Sequence, residues 1–224
     1  MSNTPDHITL VFFGDSITEG QYVHHSLRWT ELVSTRLRTH FSSRFDPHRQ
    51  FHYVHGISGE TTRQALERFP RQVQQMEPDL LTIQFGLNDC NCWDSDRGLP
   101  RVSEAAYHAN LLEMIARARR FGARQIILST NHPTLRHRPL ASGETLEQRR
   151  TKYNEIVREV ARQSKVTLCD IEAAFAFASQ EQLAGLLLPE PDVLHLSPAG
   201  HQIYADAITP PLIGALQNVL DANQ

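Results

Sequence analysis

The chain has 224 residues, 40% of them hydrophobic and 21% charged, which is enough apolar material for a buried core and too little charge for a disordered chain. A formal charge of -3 supplies no general field for nucleic acid or an anionic membrane, and neither is an expected partner. Three cysteines, Cys90, Cys92 and Cys169, cannot all pair within one chain. With no basic leader before the short apolar run at Ile8 to Phe13, the sequence reads as cytoplasmic, with reduced thiols and no integral membrane association.

Ile8 to Phe13 predicts a first strand, and a helical period follows over Ser26 to Phe41. Strands at Phe51 to His55, Leu80 to Phe85, Gln125 to Thr130 and Val166 to Cys169 then alternate with helices at Thr61 to Gln75, Ser103 to Phe121 and Leu146 to Ser164. A last helix runs from Pro198 to Leu220. Ser103 can cap a stretch that sets Leu111, Met114, Ile115 and Ala118 on one side, and Gly122 suits the left-handed residue past its end. Ser197 precedes Pro198 as a cap residue before a proline at the first helical position.

No linker or repeat divides the chain, so residues 1–224 are read as one domain. Continuously apolar strands separated by helices predict a doubly wound parallel sheet covered on both faces. In such an α/β fold ligands sit at the carboxyl ends of the strands, and four sequence blocks fall there. The first strand runs into Gly14-Asp15-Ser16-Ile17-Thr18-Glu19-Gly20, which sets a serine hydroxyl at the sheet edge; a helix cap explains the same residues. Gly56-Ile57-Ser58-Gly59-Glu60-Thr61-Thr62 follows the second strand, as an anion-binding turn or a tight turn with a cap.

Gly86-Leu87-Asn88-Asp89 follows the third strand, where a side-chain amide is a neutral donor suited to a developing oxyanion, or part of an ordinary turn. Near the C-terminus, Asp192 stands three residues before His195, a spacing that lets a carboxylate orient an imidazole; a surface loop is the alternative.

Together, in this order and on these elements, GDSITEG, GISGETT, GLND and DVLHLSPAGH resemble the SGNH hydrolases of the GDSL esterase family, from Gly14 to about Tyr204. The resemblance implies a three-layer α/β/α sandwich with a flavodoxin-like five-stranded parallel sheet. It implies Ser16 as nucleophile, His195 as general base and then acid, and Asp192 as the carboxylate orienting His195. It sets the backbone N–H groups of Ser16 and Gly59 and the amide of Asn88 around an oxyanion, with no metal or organic cofactor. Asp15 and Asp89 read as supports of loop geometry rather than reacting groups.

The expected activity is hydrolysis of a small-molecule ester through an acyl-enzyme. A short acyl group such as acetyl is favoured, because the pocket segments are polar and hold few large aliphatic residues, on a small or carbohydrate-linked ester. A thioesterase or lysophospholipase of the same family and an inactive binding module are the alternatives. For substrate contact the sequence offers Cys90, Trp93, Asp94 and Arg97 after the third strand, and Asn131 and His132 after the fourth. Cys90 is also a candidate target for thiol reagents, whereas Cys-x-Cys is a poor zinc signature. Arg136, His137 and Arg138 are candidates to meet an anionic substrate, while most arginines between Arg117 and Arg150 read as solvated helix faces. Nothing in the sequence argues for a homo-oligomer.

Overall fold

The computed structural model describes residues 6–137 and 139–222 of the chain. Five strands, β1 (Ile8–Gly14), β2 (Gln50–Gly56), β3 (Leu80–Gln84), β4 (Gln125–Ser129) and β5 (Thr167–Cys169), form one parallel sheet in the order β2-β1-β3-β4-β5. β1 is buried at every residue, as a strand covered on both faces must be. Its side chains alternate between the two faces. Phe12 meets the Trp29 ring edge-on at 5.2 Å on one face, and Phe13 meets Phe69 at 5.2 Å on the other.

Those two contacts define the outer layers. Helices α2 (Trp29–Phe41) and α9 (Pro198–Asp221) cover the Phe12 side, where Trp29 stacks on Tyr204 at 4.5 Å. Helices α3 (Thr62–Gln72), α5 (Glu104–Arg120) and α6 (Leu146–Ser164) cover the Phe13 side. The result is the expected three-layer α/β/α sandwich with the flavodoxin-like strand order.

Four short helices mark strand ends and connections: α1 (Ser16–Glu19), α4 (Leu87–Cys90), α7 (Ile171–Ala174) and α8 (Gln180–Leu186). None was expected from the sequence, because four to seven residues carry too little helical period to register. The predicted helix from Ser26 is interrupted: a 3-10 turn at His25–Leu27 gives way to α2 only after the extended residue Arg28. The helix predicted to reach Gln75 ends at Gln72, just past Pro70, and continues as a 3-10 turn, Gln74–Met76. α6 runs as predicted, and Ser103 caps α5 by accepting the Ala106 N–H at 3.3 Å.

Two close approaches explain glycines at the strand ends. A side chain on Gly14 would meet Thr18 Oγ1 at 2.1 Å, and one on Gly56 would meet the Glu19 backbone nitrogen at 2.1 Å. β1, β2 and α1 can therefore lie against one another only with hydrogen at both positions.

Candidate active site

The strand order reverses between β1 and β3, which opens a crevice at the carboxyl edge where their following segments diverge. Ser16 begins α1 immediately beyond β1, and Asp15 fixes that turn by accepting the Ile17 N–H at 3.0 Å. Arg68 ties the neighbouring strand ends together, donating to the Gly14 carbonyl at 2.9 Å and to the His55 carbonyl at 3.0 Å, with its guanidinium over the Phe13 ring.

Asp192 and His195 arrive from the far end of the chain, on a loop between α8 and α9. An antiparallel bridge pairs Leu187 with Leu196 at the base of the loop, and Ser197 caps α9 beyond it. His195 Nε2 lies 2.9 Å from Ser16 Oγ, and His195 Nδ1 lies 2.7 Å from Asp192 Oδ2. Asp192 Oδ1 accepts the N–H groups of Leu194 at 3.0 Å and His195 at 2.7 Å. Partial burial works to raise the Asp192 pKa, but the bonds from His195 and Leu194 outweigh it and hold the carboxyl below its usual range. A hydroxyl, an imidazole and a carboxylate in that sequence can move a proton off the serine as its oxygen attacks a carbonyl.

The loop that carries the pair is held from β4's far side. His132 Nε2 lies 2.8 Å from the Leu194 carbonyl, the Leu135 N–H donates to the Val193 carbonyl at 3.0 Å, and Arg136 Nε donates to the Asp192 carbonyl at 3.0 Å. Val193 has φ +46°, a left-handed conformation that costs a β-branched residue energy and that these bonds help to hold.

Gly59 and Asn88 follow β2 and β3, the two strands that flank β1. Asp89 joins their segments by accepting the Thr62 N–H at 2.9 Å, and Asn110 braces Thr62 Oγ1 at 2.9 Å. Gly59 has φ +76° and open space where a Cβ would stand. Among the described residues the Asn88 amide makes no hydrogen bond within the chain, so its donors are free for a ligand.

The substrate-contact expectations divide. Cys90 is fully buried beneath the edge, where burial pushes its thiol pKa far up, so the expected substrate and reagent contact is corrected. Asn131 is 1% exposed and bonds Gln84, Phe85 and Asn154; it braces the sheet edge from below instead of meeting a ligand. His132 is 0% exposed and engaged with Leu194, which corrects its expected role likewise. Trp93, Asp94 and Arg97 are exposed.

Asp94 lines a cavity of about 470 Å³ with Asn91, Cys92, Arg136, His137 and Glu190, against an apolar wall that includes Leu135, Pro191 and Val193. Arg138 lies outside the described residues. Arg149 and Arg150, expected on a solvated face, are each 5% exposed. Arg150 reaches the Asn131 carbonyl at 3.0 Å and Glu172 at 2.7 Å, and Arg149 donates to the Gly98 carbonyl.

Tyr22 was not anticipated. Its ring stands edge-on to His195 at 5.4 Å, 70% of the residue is exposed, and φ is +66°. Its position depends on the turn after Gly20, for which the sequence carries no periodic signal.

Residues 12–203 match the GDSL-like lipase/acylhydrolase family. The chain is 28% identical over 222 residues to the uncharacterized lipoprotein YqeF of Bacillus subtilis (strain 168), spanning 89% of this chain and 87% of that one. It is 29% identical over 162 residues to an acetylxylan esterase of Geobacillus stearothermophilus, covering 68% and 67%. A solved structure of an acetyl xylan esterase from Geobacillus stearothermophilus superimposes with a TM-score of 0.73 at 23% identity, over 93% of this chain and 95% of that one.

Proposed function

This chain belongs to the GDSL-like lipase/acylhydrolase family and is a carboxylic ester hydrolase, and from that premise we propose that it removes short acyl groups, acetyl foremost, from carbohydrate-linked esters. Ser16 is the nucleophile, His195 the general base and then acid, and Asp192 the carboxylate that fixes the imidazole. The observation that carries this assignment is the pair of consecutive hydrogen bonds, 2.9 Å from Ser16 Oγ to His195 Nε2 and 2.7 Å from His195 Nδ1 to Asp192 Oδ2.

As Ser16 Oγ attacks the ester carbonyl, its proton passes to Nε2 and Asp192 stabilises the imidazolium. The backbone N–H groups of Ser16 and Gly59 and the Asn88 amide receive the oxyanion, neutral donors whose fixed dipoles favour the charged intermediate over the neutral ester. Collapse returns the proton from Nε2 to the departing alkoxide. Water, activated by the same imidazole, then hydrolyses the acyl-enzyme and frees Ser16.

The short acyl group draws support from the polar lining of the cavity beside the triad, with Asn91, Asp94, Arg136 and Glu190, and the carbohydrate alcohol from the likeness to an acetylxylan esterase. The test is a matched series from acetyl to dodecanoyl esters of one chromogenic alcohol, with wild type and a folded Ser16→Ala variant side by side. Preference for acetyl and loss of turnover in the variant are expected. Activity that peaks at long chains overturns the short-acyl reading, and full activity in Ser16→Ala overturns the nucleophile.

A further inference from the structure

A second cavity of about 430 Å³ is lined by Thr61, Arg63, Gln64, Trp93, Asp96 and Arg101, the last of which bonds the Gly59 carbonyl. One of its lining residues is an aromatic side chain held outward. The Trp93 N–H donates to Asp96 Oδ2 at 2.8 Å and the Asp96 N–H donates to the Trp93 carbonyl at 2.9 Å, closing a tight turn that leaves Trp93 59% exposed. Leaving so much indole in water forfeits burial energy that a core position would supply, so the turn maintains an exposed ring at a cost to stability.

The ring is also fixed in direction. Arg101 sets its guanidinium 4.5 Å from the indole centre, and the same guanidinium donates to the Gly59 carbonyl at 2.9 Å and to Gln64 Oε1 at 3.3 Å. One cation therefore locks the indole to Gly59, whose N–H faces the reacting carbonyl in the proposed reaction. Arg101 takes one face of the ring, and the exposure of Trp93 leaves the other face to a ligand.

Around that ring stand a carboxylate, a guanidinium and a carboxamide, from Asp96, Arg63 and Gln64. Arg63 makes no ion pair among the described residues, and Asp96 commits only Oδ2 to the Trp93 N–H. An aromatic face for ring C–H groups, edged by planar groups that both accept and donate, is complementary to a pyranose ring with its equatorial hydroxyls. The lining carries both signs of charge, Arg63 and Arg101 against Asp96, so hydroxyl groups find acceptors and donors side by side.

We propose that Trp93 and Arg101 form a saccharide subsite that holds the sugar carrying the ester, so that its acyl group reaches Ser16 beside Gly59. This inference rests on the carbohydrate-ester reading of the active site and places the alcohol of the ester on the Gly59 side of Ser16.

The experiment has two readouts. The first is the ratio of kcat/KM for acetylated xylotetraose to that for ethyl acetate, in wild type, Trp93→Ala and Trp93→Phe. The subsite requires a fall in that ratio of about tenfold or more in Trp93→Ala, carried by KM, with a substantial part restored by the aromatic ring of Trp93→Phe. An unchanged ratio overturns the proposal, and so does a fall confined to the corresponding ratio for phenyl acetate, which would make the shelf an aryl site.

The second readout is binding of unacetylated xylotetraose to the Ser16→Ala protein, followed by tryptophan emission. Trp29 is buried and Trp93 exposed, so a sugar-induced change must vanish in the Ser16→Ala, Trp93→Phe double variant. If wild type cleaves ethyl acetate but no acetylated sugar, the carbohydrate reading of the reaction fails. Xylotetraose binding then decides the shelf separately: a change that depends on Trp93 sustains it, and no change overturns it.

Discussion

His132 Nε2 stands 2.8 Å from the carbonyl oxygen of Leu194, the residue immediately before His195. Burial lowers the His132 pKa to about 3, so the ring is neutral at working pH, and with a carbonyl as its partner Nε2 must be the nitrogen that carries the proton and donates. With Leu135 and Arg136 it clamps three successive carbonyls, at 192, 193 and 194, from one segment after β4. Asp192 and His195 thus owe their placement in part to His132, a buried residue that never faces the substrate.

His132→Phe keeps an aromatic ring and removes the donor. Slight misplacement of a reacting group costs on the order of 10²-fold in rate, so kcat is expected to fall by about 10- to 100-fold with KM nearly unchanged. Steady-state kinetics on a short ester, beside a melting curve showing a folded protein, make the check. His132→Gln, which retains a donor, should recover part of kcat; a wild-type kcat in His132→Phe would remove the positioning role.

Asn88→Ala isolates the oxyanion contribution, because the Asn88 side chain makes no bond within the chain among the described residues and its loss leaves the fold intact. The expected effect is a fall in kcat of about 10²- to 10³-fold, with melting temperature near that of wild type. A variant with normal turnover would show that the amide takes no part in holding the oxyanion.

The sheet and the candidate triad were legible in the sequence for different reasons. Continuous apolar runs such as Ile8 to Phe13 announce buried parallel strands, and Ser16, Asn88 and His195 sit in short blocks whose order carries the family resemblance. What escaped was decided by tertiary contact. Asn131 and His132 follow a strand end as ligand-facing residues do, yet the α6 side chain Asn154 and the carbonyl of Leu194 draw them inward. Arg149 and Arg150 look like two more surface charges until α6 turns them toward the Gly98 and Asn131 carbonyls. A strand-end position predicts nearness to the site; only packing decides which way the side chain goes.

Arg150 is expected to matter for stability more than any exposed arginine. It is 5% exposed and joins the Asn131 carbonyl to Glu147 at 2.9 Å and Glu172 at 2.7 Å. Arg150→Met removes one charged donor from the Asn131 carbonyl, which keeps the Asn154 amide at 2.9 Å, and from Glu147 and Glu172; losing hydrogen bonds to charged groups costs about 1.5–3 kcal/mol. Urea denaturation measures it. Adding Glu172→Gln should return part of the loss, whereas a midpoint equal to wild type would mean that Arg158, also bonded to Glu172 at 2.7 Å, suffices alone.

Asp15 links the site to pH through stability. Burial, with help from the charges of Asp89 and Glu60, pushes its pKa from 3.8 up to about 7, against the lowering effect of the Ile17 N–H, and Oδ2 has no partner among the described residues. Burial also raises Asp89 to about 6. Between the unfolded value and about 7, the folded chain keeps on Asp15 a proton that the unfolded chain releases, so stability falls as pH rises through this window and levels off above it. Asp15→Asn retains the acceptor for the Ile17 N–H and removes the buried charge. The variant should therefore match wild type more closely near pH 5 and exceed it by on the order of 2 kcal/mol at pH 8, below the ceiling set by a shift of this size at 1.36 kcal/mol per unit. Denaturant midpoints at the two pH values decide the matter: a gap that does not widen with pH would mean that Asp15 is ionised in the fold throughout, its charge met by solvent or a neighbour.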